Sequence, residues 1–326
     1  MRKFGLTAIM AMVLMAVILS GCGSSKTDNS AASSPAASGQ TQAPEDKKIR
    51  IGFSIYGLGA EFANLIVDAM KKEAERQNVE LIVLDGQSTV DTQISQLKTL
   101  ATQKVDAIIV SPIDTNALSD TVDSIADSGI PVIGVNSIMT AKKLTSYIGS
   151  PDVQAGEMAA EQVIQAIGGK GNVVIMEGVI GQSSQLQRTE GIMNVLKKYP
   201  DVKVLAQKPA NWSRAEGLAL MENWIQAFPD KIDGVIAEND EMALGAINAL
   251  QAKQIKIPVV GIDGVKDALT AIENGDMLAT FFQNAVAQGE RSLQIAIDVV
   301  NGKQVEKEYN IPFELITKEN VADYKK

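Results

Sequence analysis

The feature that most constrains this chain is an internal echo. Lys104-Val-Asp-Ala-Ile-Ile-Val recurs as Lys231-Ile-Asp-Gly-Val-Ile-Ala, and Ile130-Pro-Val-Ile-Gly-Val-Asn136 recurs as Ile257-Pro-Val-Val-Gly-Ile-Asp263, both displaced by 127 residues. Two matches at one offset mark two copies of one globular plan rather than a chance likeness of strands, and two copies are too few for a solenoid. Around each copy, short apolar runs alternate with segments of helical period, the pattern of an α/β fold with parallel sheets. The first copy predicts strands over 49–55, 80–84, 107–110 and 131–135, with helices over 61–77, 89–103 and 116–128. The second predicts strands over 173–176, 202–206, 234–237 and 258–262, with helices over 184–198, 214–228 and 241–252, and a later strand over 278–282. The 326 residues suffice for two domains of the usual ~150 residues, each burying its own core.

The segment before the first strand is of a different kind. Arg2 and Lys3 precede an uncharged, mostly apolar run from Phe4 to Leu19, as in a signal peptide over residues 1–21. That run is short of the ~20 residues a membrane span needs. It ends in Leu19-Ser20-Gly21-Cys22, which resembles the lipobox of bacterial lipoproteins, where cleavage leaves a lipid-bearing cysteine at the new N-terminus. The other reading is an uncleaved anchor with an incidental cysteine. Residues 22–46 are rich in Ser, Ala, Gly, Gln, Thr and Pro with almost no large apolar side chain, so they read as a flexible tether. Cleavage before Cys22 would remove two cations and no acid, taking the formal charge from −9 to −11. The expected protein is exported and held to the outward face of the cell membrane only by lipid.

Composition removes several function classes. The chain has no histidine, so no Ser-His-Asp or Cys-His pair and no imidazole metal ligand exists in it. A single cysteine excludes internal disulfides and multi-thiolate metal sites. With 39 acidic against 30 basic residues, a nucleic-acid partner is not expected. Gly57-Leu58-Gly59 follows the first strand like a dinucleotide fingerprint, but Phe62 stands where the third glycine belongs. Neither a Walker Gly-Lys-Ser nor an EF-hand loop is present. No metal and no cofactor are expected.

In open parallel sheets, ligands bind beyond the carboxyl ends of the strands. Those ends hold Tyr56 to Phe62, Gly86-Gln87, Ser111-Pro112 and Asn136-Ser137 in the first copy. In the second they hold Gly178 to Arg188, Trp212, Glu238-Asn239-Asp240 and Asp263-Gly264. Amides and charged side chains bond sugar hydroxyls, and aromatic plates cover the apolar faces of a sugar ring. Asn136, Arg188, Asn239, Asp263 and Gln283 supply the first kind of group; Phe62 and Trp212 supply the second, one from each copy. Each has an alternative role. Phe62 suits a core-facing helix position, Asn239 or Asp240 a helix cap, with capping favoured for Asp240. Asp263 suits a turn, Arg188 a surface pair with Glu190, and Gln283 a hinge where the chain crosses back.

The segments Ala237-Glu-Asn-Asp-Glu-Met-Ala-Leu-Gly245, Val260-Gly-Ile-Asp-Gly264 and Arg188-Thr-Glu-Gly191 resemble ribose-binding protein and its relatives, the type I periplasmic sugar-binding proteins of ABC importers. The opening Arg50-Ile-Gly-Phe-Ser-Ile-Tyr56 looks closer to the galactose/glucose branch. The resemblance implies two Rossmann-like lobes with parallel sheets joined by a three-strand hinge, with crossings near Ser150, Gln283 and Phe313. Residues 47–150 and about 284–313 would form the first lobe, and 151–283 with about 314–326 the second. It implies ring stacking by Phe62 and Trp212, and hydroxyl contacts from Arg188, Asn239, Asp263 and Gln283. Asn136-Ser137, both expected ligand contacts, stands where ribose binders carry Asp-Arg, and Ala60 where they carry Asn or Asp. Both departures leave room for a larger or less polar ligand than ribose. The galactose/glucose branch shares the Asn but follows it with Lys and carries a calcium loop not found here. The expected protein is a monomer with no enzymatic activity that closes on a monosaccharide, a pentose or a hexose, and delivers it to an ABC permease. The alternatives are a sensor presenting its closed form to a chemoreceptor or histidine kinase, and an exported enzyme with a carboxylate- or metal-based site.

Overall fold

The computed structural model describes residues 48–325. The signal peptide, Cys22 and the tether lie outside the described residues.

Ten strands and helices belong to the first copy, beginning with β1 (Arg50–Ile55), α1 (Glu61–Arg76), β2 (Glu80–Asp85), α2 (Val90–Thr102), β3 (Ala107–Ser111), α3 (Ser119–Asp127), β4 (Val132–Asn136) and β5 (Ser146–Gly149), and completed by α9 (Ala285–Val300) and β11 (Glu308–Asn310).

 Their strands form one wholly parallel sheet in the order β11-β5-β4-β3-β1-β2. β3 (Ala-Ile-Ile-Val-Ser) and β4 (Val-Ile-Gly-Val-Asn) are buried along their whole length, as expected of central parallel strands covered on both faces. Ile51, Phe53, Ile55, Ile108, Ile109 and Ile133 form the centre of this core.

The second copy contains α4 (Asp152–Ala166), β6 (Gly171–Glu177), α5 (Ser183–Leu196), β7 (Val202–Pro209), α6 (Arg214–Ala227), β8 (Gly234–Ala237), α7 (Asp240–Ala252), β9 (Val259–Val260) and α8 (Lys266–Asn274). Its sheet is parallel in the order β7-β6-β8-β9, which repeats the β2-β1-β3-β4 order of the first. The sequence echo is therefore an echo of topology. Single bridges, Val260 to Ala279 and Asp263 to Phe282, continue this sheet toward β10 (Thr280–Phe282), which pairs antiparallel with β12 (Glu314–Ile316). A short 3₁₀ turn, Val321–Tyr324, follows.

The chain passes between the two sheets three times: after β5, between β10 and α9, and between β11 and β12. Six strands and helices have no counterpart in the sequence reading: β5, α4, α8, α9, β11 and β12. β5 is a four-residue strand, and α4 buries Ala155, Gly156, Ala159 and Ala160, with Gly156 against the Arg188 backbone of its neighbour α5. Small side chains let two helix backbones approach, but they leave little apolar periodicity to read. The strand expected over 258–262 shortens to Val259–Val260, because Gly261 to Asp263 already turns toward the site.

Candidate functional site

The carboxyl ends of the two sheets face one small cavity, with about 20 Å³ of free space between the side chains that line it. From the first lobe come Tyr56, just after β1, Ala60 and Phe62, at the start of α1, and Asn136, the last residue of β4. From the second come Gln182, Ser184, Arg188, Trp212, Asn239 and Asp263, with Gln283 on the crossing after β10. Seven of the eight residues singled out in the sequence as ligand contacts thus line one space. Ser137 does not. It is fully buried, and its hydroxyl lies 3.2 Å from that of Ser184, behind the wall. Tyr56, Ala60, Gln182 and Ser184 were not chosen as ligand contacts; their position at strand and helix ends was the available signal.

Arg188 is the organising group. It is buried rather than a surface partner of Glu190, and every nitrogen of its guanidinium is engaged by the protein. Nε donates to Asp152 Oδ1 at 2.8 Å, Nη1 to the Glu238 carbonyl at 2.5 Å, and Nη2 to Gln283 Oε1 at 3.0 Å. Asp263 Oδ1 stands 3.9 Å from Nη1. The carbon of the guanidinium lies 5.7 Å from the Trp212 ring centroid and 5.8 Å from that of Phe313, within cation–π range. Burial works against this cation, but Asp152 and Asp263 outweigh it and hold its proton more firmly than usual. Burial pushes the Asp263 carboxyl up, Arg188 pulls it back, and Asp240 adds to the rise. Flanked by two carboxylates, the guanidinium presents no uncompensated positive charge to an anionic ligand.

The remaining wall is set by local chemistry. Asn239 caps α7, its Oδ1 accepting the Met242 N–H at 3.0 Å, while the same residue lines the cavity. The cap favoured for Asp240 falls to Asn239. Asp240 instead accepts Gly264 N–H at 2.7 Å, Val265 N–H at 3.0 Å and the Thr280 hydroxyl at 2.6 Å, fixing the loop that carries Asp263. Asn136 and Trp212 have φ of 67° and 62°, a region that side-chain-bearing residues seldom occupy. The Trp212 indole fits over Gly178, where an added Cβ would lie 1.9 Å from the ring. Gln283 accepts from Arg188 through its carbonyl end, which leaves its amide nitrogen buried with no protein partner. Burial holds the Tyr56 phenol protonated well past its usual range.

Two similar lobes with a buried polar cavity between their strand ends define a two-lobed solute-binding protein. The chain belongs to the type I periplasmic sugar-binding protein family: it matches the periplasmic binding protein domain over residues 51–304. This is a family of substrate-binding proteins, not of enzymes. Among its relatives, a xylitol-binding protein of Mycolicibacterium smegmatis is 40% identical over 284 residues, covering 87% of this chain and 81% of the relative. The ribose import binding protein RbsB of Bacillus subtilis is 34% identical over 271 residues, covering 83% and 88%. Among solved structures, an ABC transporter solute-binding protein of Bacillus halodurans with bound myo-inositol is 39% identical with a TM-score of 0.82, covering 86% of this chain and 99% of that one.

Proposed function

We propose that this chain binds a neutral polyol of monosaccharide size, a sugar or sugar alcohol, between its lobes and delivers it to an ABC permease. The observation that carries the reading is the Arg188–Gln283 pair. The arginine orients the glutamine so that a buried amide N–H is left for a ligand oxygen, and an unmet buried donor costs about 1–3 kcal/mol. Phe62 and Trp212 offer aromatic surface from opposite lobes, and Asn136, Asn239 and Asp263 offer donors and acceptors. The names of the xylitol, ribose and myo-inositol relatives support the same ligand class. Isothermal titration against D-ribose, D-xylose, D-allose, D-fructose, xylitol and myo-inositol tests it. Saturable binding to one of them is expected, and heat of dilution alone for all of them refutes the reading.

Cys22 is the proposed lipid attachment point, with the lobes outside the cytoplasmic membrane. Cys22→Ser is expected to move the protein from the membrane fraction to the soluble extracytoplasmic fraction. Loss of uptake of the bound polyol on gene deletion supports delivery to a permease; unchanged uptake with a lost transcriptional response supports a sensor.

A further inference from the structure

We propose that Gln182 is a positioning residue that makes the ligand-facing setting of the Trp212 ring depend on closure of the two lobes. The two ends of its carboxamide do different work. Oε1 accepts the Trp212 indole N–H at 2.7 Å within the second lobe, and Nε2 donates to the Pro112 carbonyl at 3.0 Å, on the loop after β3 of the first. The side chain is only 2% exposed, so water competes for neither bond. A flipped carboxamide would set donor against donor at Trp212 and acceptor against acceptor at Pro112, so the two partners define one orientation between them.

This bond is part of a clasp between lobes. Thr115 N–H donates to the Gly181 carbonyl at 3.0 Å, Ile138 N–H to Ser183 Oγ at 2.7 Å, and the Ser137 and Ser184 hydroxyls lie 3.2 Å apart. Ser137, absent from the cavity wall, has its place here. Among these contacts only Gln182 also touches an aromatic group of the cavity. Parting the lobes removes the Pro112 carbonyl and frees the carboxamide to rotate, and the indole then loses the fixed partner that holds its ring angle. By linkage, a ligand that fixes the ring favours the closed lobes to the same extent.

The proposal rests on the cavity being a solute site, so its test includes an arm without ligand. Gln182→Glu keeps an acceptor for the indole and turns an oxygen toward Pro112; Gln182→Met keeps bulk and removes both bonds. Acrylamide quenching of Trp212 fluorescence, in a Trp224→Phe background, and small-angle scattering are read on ligand-free protein. Dissociation rates are read with xylitol and myo-inositol. Both variants are expected to raise quenching and the radius of gyration, and to speed dissociation about tenfold with association nearly unchanged. Trp212→Phe is expected to cost less affinity in the Gln182→Met background than in the wild type. If the polyols bind but quenching, radius and dissociation are unchanged in both variants, the proposal is overturned. If no polyol binds while the ligand-free differences appear, the clasp stands and the polyol reading falls. Should one variant not fold, the other carries the same comparison.

Discussion

Glu238 lies one layer behind the cavity and gives the sharpest stability prediction. It is fully buried; its Oε2 accepts the Gly178 N–H at 2.8 Å and its Oε1 the Thr189 hydroxyl at 2.5 Å. Burial pushes its carboxyl from 4.5 up to about 8; the two hydrogen bonds and Arg188 oppose the rise, and Glu177 adds to it. Between those values the folded protein holds a proton that the unfolded chain has released. Its contribution is therefore full below about 4.5 and is lost as pH rises through about 8. A displacement of that size corresponds to roughly 5 kcal/mol. For a chain this long, that is a fall in Tm of roughly 10 °C or more. Glu238→Gln matches the protonated side chain in shape and does not titrate. Thermal unfolding followed by circular dichroism should give coincident curves for wild type and variant at pH 5, with the variant melting higher at pH 9. Parallel Tm profiles across that range would refute the buried-proton argument.

Further outcomes follow from the same geometry. Asp263→Ala and Trp212→Ala should each weaken polyol binding by about 1–3 kcal/mol in calorimetric titration, and unchanged affinity in both would remove the cavity from the argument. Gly156→Ala should destabilise the protein by about 1–3 kcal/mol in urea unfolding, because its Cβ would stand 2.1 Å from the Arg188 carbonyl oxygen; ligand affinity should fall with it, since α5 carries that arginine.

The fold was legible where side-chain pattern and backbone state coincide. The Ile130 and Ile257 segments are apolar throughout, as buried parallel strands are, and their terminal Asn136 and Asp263 both line the cavity. Phe62 was ambiguous because it is both things: it packs with the core of the first lobe and faces the cavity. Arg188 was ambiguous because its partner, Asp152, lies 36 residues away, on α4, an element without a readable apolar stripe. Gln182 was marked only by its place in the loop between β6 and α5. An amide in a loop acquires a role only when two distant loops meet around it, and that meeting is a property of the folded lobes.

The return of the chain to the first sheet has a consequence for how the molecule is made. α9 packs on α1, and β11 completes the sheet edge at β5, so the first lobe borrows from residues 285–310. Those pairings join residues far apart in sequence, which is the slow kind of contact in folding. During synthesis the first lobe stays unfinished, with the flank of α1 and one strand edge uncovered, until almost the whole second lobe has emerged. The order of assembly is thereby tied to the far end of the chain: the first-made lobe is among the last to close.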